Sequence, residues 1–177
     1  EFHPSDFQYT FFSGAKVLDN KDNKIAYSLS DGSYSFAGAS GGEHILAISN
    51  PGYTTTYRKV NVIQGTEYVD PAIITGLDSK TTRVPTEGGS ATNSTASIRI
   101  DVPSLALPSS ADINLTMVNI AASPYEPPLN EYFISVIVYI SPSSMELASP
   151  ATLKIPNLTG LPEGFTSINF YHFNPDT

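Results

Sequence analysis

The sequence predicts an all-β protein, and three observations lead to this prediction. Apolar residues recur at every second position between turn signals, as at Ile98, Ile100 and Val102, and this is the period of a half-buried strand. Fourteen prolines and twelve glycines are spread through the 177 residues and interrupt helical patterns. Ten tyrosines and nine phenylalanines, with many Val, Ile and Thr residues, also favour strands. Short strands separated by turns predict two β-sandwiches in tandem.

The composition excludes several classes of protein. Nine Lys and Arg residues against seventeen Asp and Glu residues give a net charge of −8 and a pI near 4.6, which argues against a nucleic-acid partner. Cysteine is absent, so disulfides and thiolate chemistry are excluded, and we expect no cofactor. The longest apolar stretch, residues 132–140, is too short for membrane insertion. A hydroxyl-rich, acidic, cysteine-free chain favours an extracellular or cell-surface location.

Four segments are predicted along the chain. Residues 1–12 form an extended arm, and residues 13–77 form the first sandwich. Residues 78–88 are polar, contain Pro85 and precede Gly89, so they are interpreted as a linker. Residues 89–177 form the second sandwich.

The first sandwich is predicted from alternating segments between turns. A polar turn at 19–24 separates the first two strands, and Asn50, Pro51 and Gly52 mark a later hairpin turn. The predicted strands are 15–18, 25–29, 33–36, 43–48, 57–62 and 67–74.

Three motifs in this part of the chain carry a resemblance. DGSYSF (31–36), HIL (44–46) and PGY (51–53) resemble the carboxypeptidase regulatory-like domain over about residues 13–75. The resemblance implies a seven-stranded, transthyretin-like sandwich that has no catalytic activity.

The second sandwich carries a different resemblance. IRIDV (98–102), PATLKIP (150–156) and GLPEG (160–164) are similar to the sandwich of ankyrins, netrin receptors and many bacterial surface proteins, over about residues 88–175. In that family further strands usually follow the last motif. We therefore expect this domain to be incomplete at its C-terminal edge, and an open sheet edge needs a covering strand. Residues 132–140 are expected to form a strand that is buried on both faces.

Candidate catalytic residues are few. His3, His44 and His172 are not accompanied by a G-x-S-x-G or H-E-x-x-H motif, and the acids are scattered singly through turns. His44 alternates in phase with Leu46 and is interpreted as the end of a core face. Residues 19–23 (DNKDN) lack the spacing and glycine of a calcium loop, so a solvated turn is favoured over a metal site. The sequence predicts that the chain is not an enzyme.

Three groups of residues are candidates for binding or modification. Phe7, Tyr9 and Phe11 alternate along the arm, either as the first strand of the first domain or as a strand that fills an open edge of the next subunit. Tyr125, in a proline-rich loop, is the best candidate for a glycan contact. N-x-S/T sequons predict glycosylation at Asn93, Asn114 and Asn157.

These observations predict a non-enzymatic, extracellular structural module of a surface protein or fibre. Its partners are expected to be copies of itself or neighbouring surface-protein domains. Head-to-tail contacts that do not close would build a filament. The alternative is an accessory adhesion or carbohydrate-binding module of a larger secreted protein.

Overall fold

The computed structural model describes residues 10–63, 65–118 and 137–155. These ranges contain ten strands and no helix, and every strand pair is antiparallel, which confirms the all-β prediction. No helical segment within them has the length and apolar character of a membrane span. Two compact units divide the described chain. The first takes residues 10–51 and Thr55–Ile74, and the second takes Gly52–Thr54 and the residues from Thr75 onward.

The first unit is built on one four-stranded sheet with the spatial order β2-β1-β3-β4. Its strands are β1 (Lys16–Asp19), β2 (Lys24–Tyr27), β3 (Gly42–Ser49) and β4 (Thr56–Val62). Within the described residues β2 and β4 therefore lie at the two edges of the sheet.

Alternation along β3 decides which face of this sheet is buried. His44, Leu46 and Ile48 point to the covered face, as the two-residue period of a strand requires. Ala15, Val17, Leu46 and Ile48 form the buried cluster, and partly buried residues pack against it: Phe12, Tyr34, Phe36, Val60, Val69, Ala72 and Ile74.

Two predicted strands of this unit, 33–36 and 67–74, are not regular strands in the structure. Their apolar side chains still pack on the core, and the rings of Tyr34 and Phe36 meet edge to face with centroids 6.4 Å apart. The alternation of apolar residues thus predicted correctly which side chains face the core. It cannot show whether the backbone pairs with a neighbouring strand, and in these two segments no regular strand forms.

The second unit carries two three-stranded sheets. One has the order β5-β8-β9 and the other β10-β7-β6. The strands are β5 (Thr81–Val84), β6 (Gly89–Thr92), β7 (Arg99–Val102), β8 (Ala111–Val118), β9 (Ile137–Ser141) and β10 (Thr152–Lys154).

Both sheets supply residues to one core. The buried members are Val84, Ala91, Ile98, Ile100, Val102, Ala106, Leu107, Ile113 and Leu115. Two antiparallel sheets that share a core are the arrangement from which sandwiches are built. The arrangement as two β-sandwiches in tandem stays a prediction.

The structure differs from the sequence-based expectations at two places in this unit. Strand β5 lies inside the range 78–88 that was predicted as a linker; it pairs with β8, and Val84 is buried. Its four residues are too short for alternation to stand out beside a Pro and two Gly residues. In β9 all five residues are half-buried rather than buried. Residues 132–136 and the predicted open edge at the C-terminus lie outside the described residues.

Candidate functional site

A cluster of polar side chains connects the end of β1 to the loop that precedes β3. Asp19 and His44 are each 1% exposed. The Nδ1 atom of His44 lies 2.9 and 3.0 Å from the two carboxylate oxygens of Asp19, and its Nε2 lies 2.7 Å from the carbonyl oxygen of Ser40. Both partners are acceptors, so the ring donates through both nitrogens and carries a positive charge.

Asp22 binds the same loop from the turn between β1 and β2. Its carboxylate accepts hydrogen bonds from the Ser40 hydroxyl at 2.5 Å and from the Ser40 backbone N–H at 2.7 Å. These bonds lower the pKa of Asp22 to about 2. For His44, burial lowers the pKa, but the hydrogen bonds to Asp19 and to the Ser40 carbonyl outweigh it, so the pKa is raised above 6.5.

The chemistry of this cluster favours a structural role. Asp19, Asp22 and His44 each bring a ligand atom within 4.8 Å of the others, a spacing that a metal ion could bridge. However, the carboxylate oxygens already accept hydrogen bonds from His44, Ser40 and the backbone N–H of Lys21, and the doubly donating imidazole has no free lone pair. Lys24 adds a cation 3.6 Å from Asp22. The donor set therefore fits a charged clamp between two loops better than a metal.

The edge strand β2 is a second candidate site, of a different kind. Ile25 and Tyr27 alternate along it and are 51% and 60% exposed, and Leu29, two residues after its end, is 62% exposed. Leu18 on β1 lies opposite Ile25 and continues this apolar surface across the sheet. A shallow depression of about 600 Å³ adjoins Tyr27 and is also lined by Lys16, Ser49 and Pro51. An exposed apolar edge strand is a surface on which another strand can pair.

The second unit matches a known family. The model of the ZU5 domain matches residues 80–172, just over half of the chain. The chain belongs to the ZU5 family. ZU5 is a β-rich, non-catalytic module that mediates protein–protein interactions. No curated protein and no solved structure matches the chain. The resemblances to the carboxypeptidase regulatory-like domain and to the ankyrin and netrin-receptor type of domain stay predictions.

Within the ZU5 domain, Asn114 anchors the segment that leads into β5. Its Nδ2 donates to the carbonyl oxygens of Asp78 at 2.7 Å and Lys80 at 2.9 Å. Its Oδ1 accepts from the Thr116 hydroxyl, which in turn accepts from the Asp78 backbone N–H. Ser94 donates to the Asp78 carboxylate through its N–H and its hydroxyl. Burial would raise the pKa of Asp78, but these bonds and the Lys80 N–H hold it below its usual value.

Asn93 closes the turn between β6 and β7 of the ZU5 domain. Its Nδ2 donates to the hydroxyls of Thr95 and Ser97, and its Oδ1 accepts from the backbone N–H of Ile98. Asn93 and Asn114 are 3% and 4% exposed, which argues against a glycan on either side chain in the folded domain. In both sequons the hydroxyl two residues later contacts the asparagine, so the N-x-T spacing here also serves local hydrogen bonding. Asn157 lies outside the described residues.

A shallow groove of about 550 Å³ lies between loops of the ZU5 domain. Hydroxyl groups line it, from Ser109, Ser110, Ser141 and Ser144, together with the carboxylate of Asp112. Asp112 accepts from the Arg83 guanidinium at 3.2 Å. Glu146 is a second carboxylate in the lining, and the described lining residues include no histidine.

The predicted arm and ligand residues are only partly described. Phe11 is 72% exposed, and its ring lies against Gly32 in the turn after β2. Phe7, Tyr9 and Tyr125 lie outside the described residues. The edge of β2 was not among the predicted sites, although the alternation of Ile25, Tyr27 and Leu29 beside a polar turn is visible in the sequence.

Proposed function

We propose that this chain is a non-enzymatic structural module of an extracellular surface protein or fibre, which assembles with copies of itself through strand edges. The single observation that carries the proposal is the edge of β2, which is unpaired among the described residues and exposes the apolar residues Ile25 and Tyr27, with Leu29 two positions further along the chain. Monomeric soluble proteins usually protect such edges with charges, prolines or covering loops. Membership of a family of protein-interaction modules supports protein partners, and the acidic, hydroxyl-rich composition is the basis for the proposed extracellular location.

Light scattering and electron microscopy of the purified chain test this function. The sample is kept at pH 7.5, far from the pI of 4.6, so that loss of net charge does not cause association. We expect the mean mass to rise with protein concentration, and ordered fibres with a repeat near one subunit length to appear in micrographs. A single monomeric mass at every concentration would contradict self-assembly.

A second function is favoured by a separate observation. Tyr68 is 93% exposed and has acidic neighbours at Glu67 and Asp70, and an exposed ring with polar neighbours can stack on a sugar. This supports an accessory adhesion or carbohydrate-binding module. A glycan screen with the wild type and Tyr68→Ala tests this function. Tyr27→Ala is the control, because it removes an exposed aromatic ring at a different site. Binding that depends on Tyr68 alone would favour this alternative.

A further inference from the structure

We propose that the free edge of β2 accepts the N-terminal arm of a second copy of this chain as an added strand. The inference rests on the proposed function and names the partner and the surface of its assembly. The acceptor edge is defined here as the outer edge of β2 with the exposed side chains of Ile25 and Tyr27. The donor is the alternating segment Phe7, Tyr9 and Phe11 of the other copy.

Among the residues that the structure describes, no strand pairs with the outer edge of β2. Ser28 donates its N–H to the Ala15 carbonyl at 2.9 Å and accepts from the Gly14 N–H at 2.8 Å, so Ser28 faces β1. Successive residues of an antiparallel strand point their N–H and C=O in opposite directions. Tyr27 and Ile25 therefore direct their backbone groups away from β1. The Leu29 N–H bonds to the Ser33 carbonyl at 2.8 Å, and this closes the edge at its C-terminal end.

The side chains of donor and acceptor have the same period. Because side chains alternate between the two faces of a strand, Phe7, Tyr9 and Phe11 would all lie on one face of an added strand. Ile25 and Tyr27 occupy the exposed face of β2. Cross-strand aromatic and aliphatic pairs on one face stabilise a sheet.

The topology favours the arm of another copy over the chain's own arm. Residues 14 and 15 continue β1 beside Ser28, and Phe11 then lies against Gly32, in the turn that leaves β2. To reach the free edge of β2, the same chain would have to cross the segment leaving β2 at that end of the sheet. Connections that cross at one sheet edge are avoided in proteins. A second copy approaches the edge without this crossing.

The charges of the two partners are also complementary. The first nine residues contain Glu1 and Asp6 and neither Lys nor Arg. Lys16, opposite Tyr27 on β1, is an exposed cation of the β1–β2 hairpin, whereas Lys24 pairs with Asp22 and Lys21 donates to the Gly41 carbonyl oxygen. Opposite charges steer association and oppose wrong partners.

Disulfide crosslinking between copies is the direct test, since the chain contains no cysteine of its own. Gln8→Cys in a tagged chain is mixed with Ala26→Cys in an untagged chain under mild oxidation. We expect a crosslinked species with the summed mass of the two chains. Tyr68→Cys replaces Ala26→Cys as the control for random collision at an exposed site, and we expect little crosslinking from it. Equal crosslinking at both sites would overturn the proposal.

Own-chain pairing is tested with both cysteines in one chain, diluted to concentrations at which the protein is monomeric. An efficient intrachain disulfide there would show that the arm is the first strand of its own domain, and the proposal would fail. In the proposed arrangement the disulfide forms only at concentrations that permit association.

Substitutions at the edge separate this inference from the proposed function. Tyr27→Pro removes an N–H from the free edge, and Tyr27→Ser removes only the ring; both are expected to lose association in light scattering. Tyr68→Ser is the matched control and should associate like the wild type. If the wild type associates and the Tyr27 variants associate equally well, assembly uses another surface. The inference about the β2 edge is then wrong, while the proposed self-assembly still stands. If the wild type does not associate, self-assembly and the acceptor edge both fail.

Discussion

At the scale of single residues, the ion pair between His44 and Asp19 is expected to control the stability of the first unit. Both side chains are 1% exposed and bonded to each other at 2.9 Å. Removing one member of a buried pair leaves the other charge without its partner, which costs ~3–5 kcal/mol. We expect this loss in the free energy of unfolding of His44→Gln, measured by urea denaturation at pH 6.

A neighbouring exposed ion pair provides the control. Lys59 lies 2.7 Å from Glu43, but both side chains are more than half exposed, and exposed pairs contribute about 0–1 kcal/mol. Lys59→Gln should therefore change the urea midpoint little. Equal losses in the two variants would show that burial does not distinguish the pairs.

The raised pKa of His44 predicts how the free energy of unfolding depends on pH. Because the folded-state pKa of His44 is raised above 6.5, its stabilising contribution is complete below the unfolded pKa and is lost as pH rises through the folded pKa. The difference in unfolding free energy between the wild type and His44→Gln should shrink as pH increases from 6 to 9. A constant difference over this range would contradict a charged imidazole.

Asp22 acts at the opposite end of the pH scale. Its pKa falls from 3.8 to about 2 because the Ser40 hydroxyl and N–H bind the carboxylate. Its contribution is therefore present above pH 3.8 and is lost as pH falls towards 2. Asp22→Asn should flatten the acid limb of the stability profile between pH 4 and pH 2. An acid limb as steep as that of the wild type would show that Asp22 does not titrate with folding.

At the scale of elements, Gly88 controls the turn that connects β5 of one sheet to β6 of the other. It has φ +87°, and an added Cβ would lie 2.7 Å from the Ser104 nitrogen and 2.7 Å from the Val102 carbonyl oxygen. These are backbone atoms that cannot rotate away. A non-glycine residue at positive φ costs ~1–2 kcal/mol, and Gly88→Ala should lose more than this. Thermal unfolding of the variant measures the loss.

Gly52 is the matched control for Gly88. It has φ +81° but no atom within 4 Å of an added Cβ, so Gly52→Ala tests the backbone strain without the collision. A loss for Gly88→Ala no larger than that for Gly52→Ala would mean that the β7–β8 connection moves aside freely.

Elements with long, regular alternation were predictable from the sequence. β3, β4 and β7 were expected within two residues of their ends, because each alternates over several residues between turn signals. β5 was missed because four residues show too little alternation. The clamp of Asp19, Asp22 and His44 could not be predicted, since it depends on β1 pairing with β3, and residues 25 positions apart carry no local signal of contact.

At the scale of the whole molecule, neither of the two units is one continuous stretch of the sequence. Tyr53 forms a bridge with Gly76, and the backbone of Thr54 bonds to that of Thr75. Residues 52–54 therefore belong to the second unit although β4 of the first unit follows them. A domain boundary predicted from composition assumes that each unit is one continuous stretch of sequence. Because residues 52–54 lie between two stretches of the first unit and belong to the second, that assumption does not hold here.

Each unit has its own buried cluster, which predicts local responses to core truncation. Leu46 belongs to the cluster of the first unit and Leu115 to that of the second. A buried Leu→Ala substitution costs about 2–5 kcal/mol. In hydrogen exchange followed by mass spectrometry, Leu46→Ala should accelerate exchange in peptides from β1 and β3 and spare those from β7 and β8. Leu115→Ala should do the reverse. Faster exchange in all four strands after either substitution would contradict this prediction, because it would mean that the two clusters open as one cooperative unit.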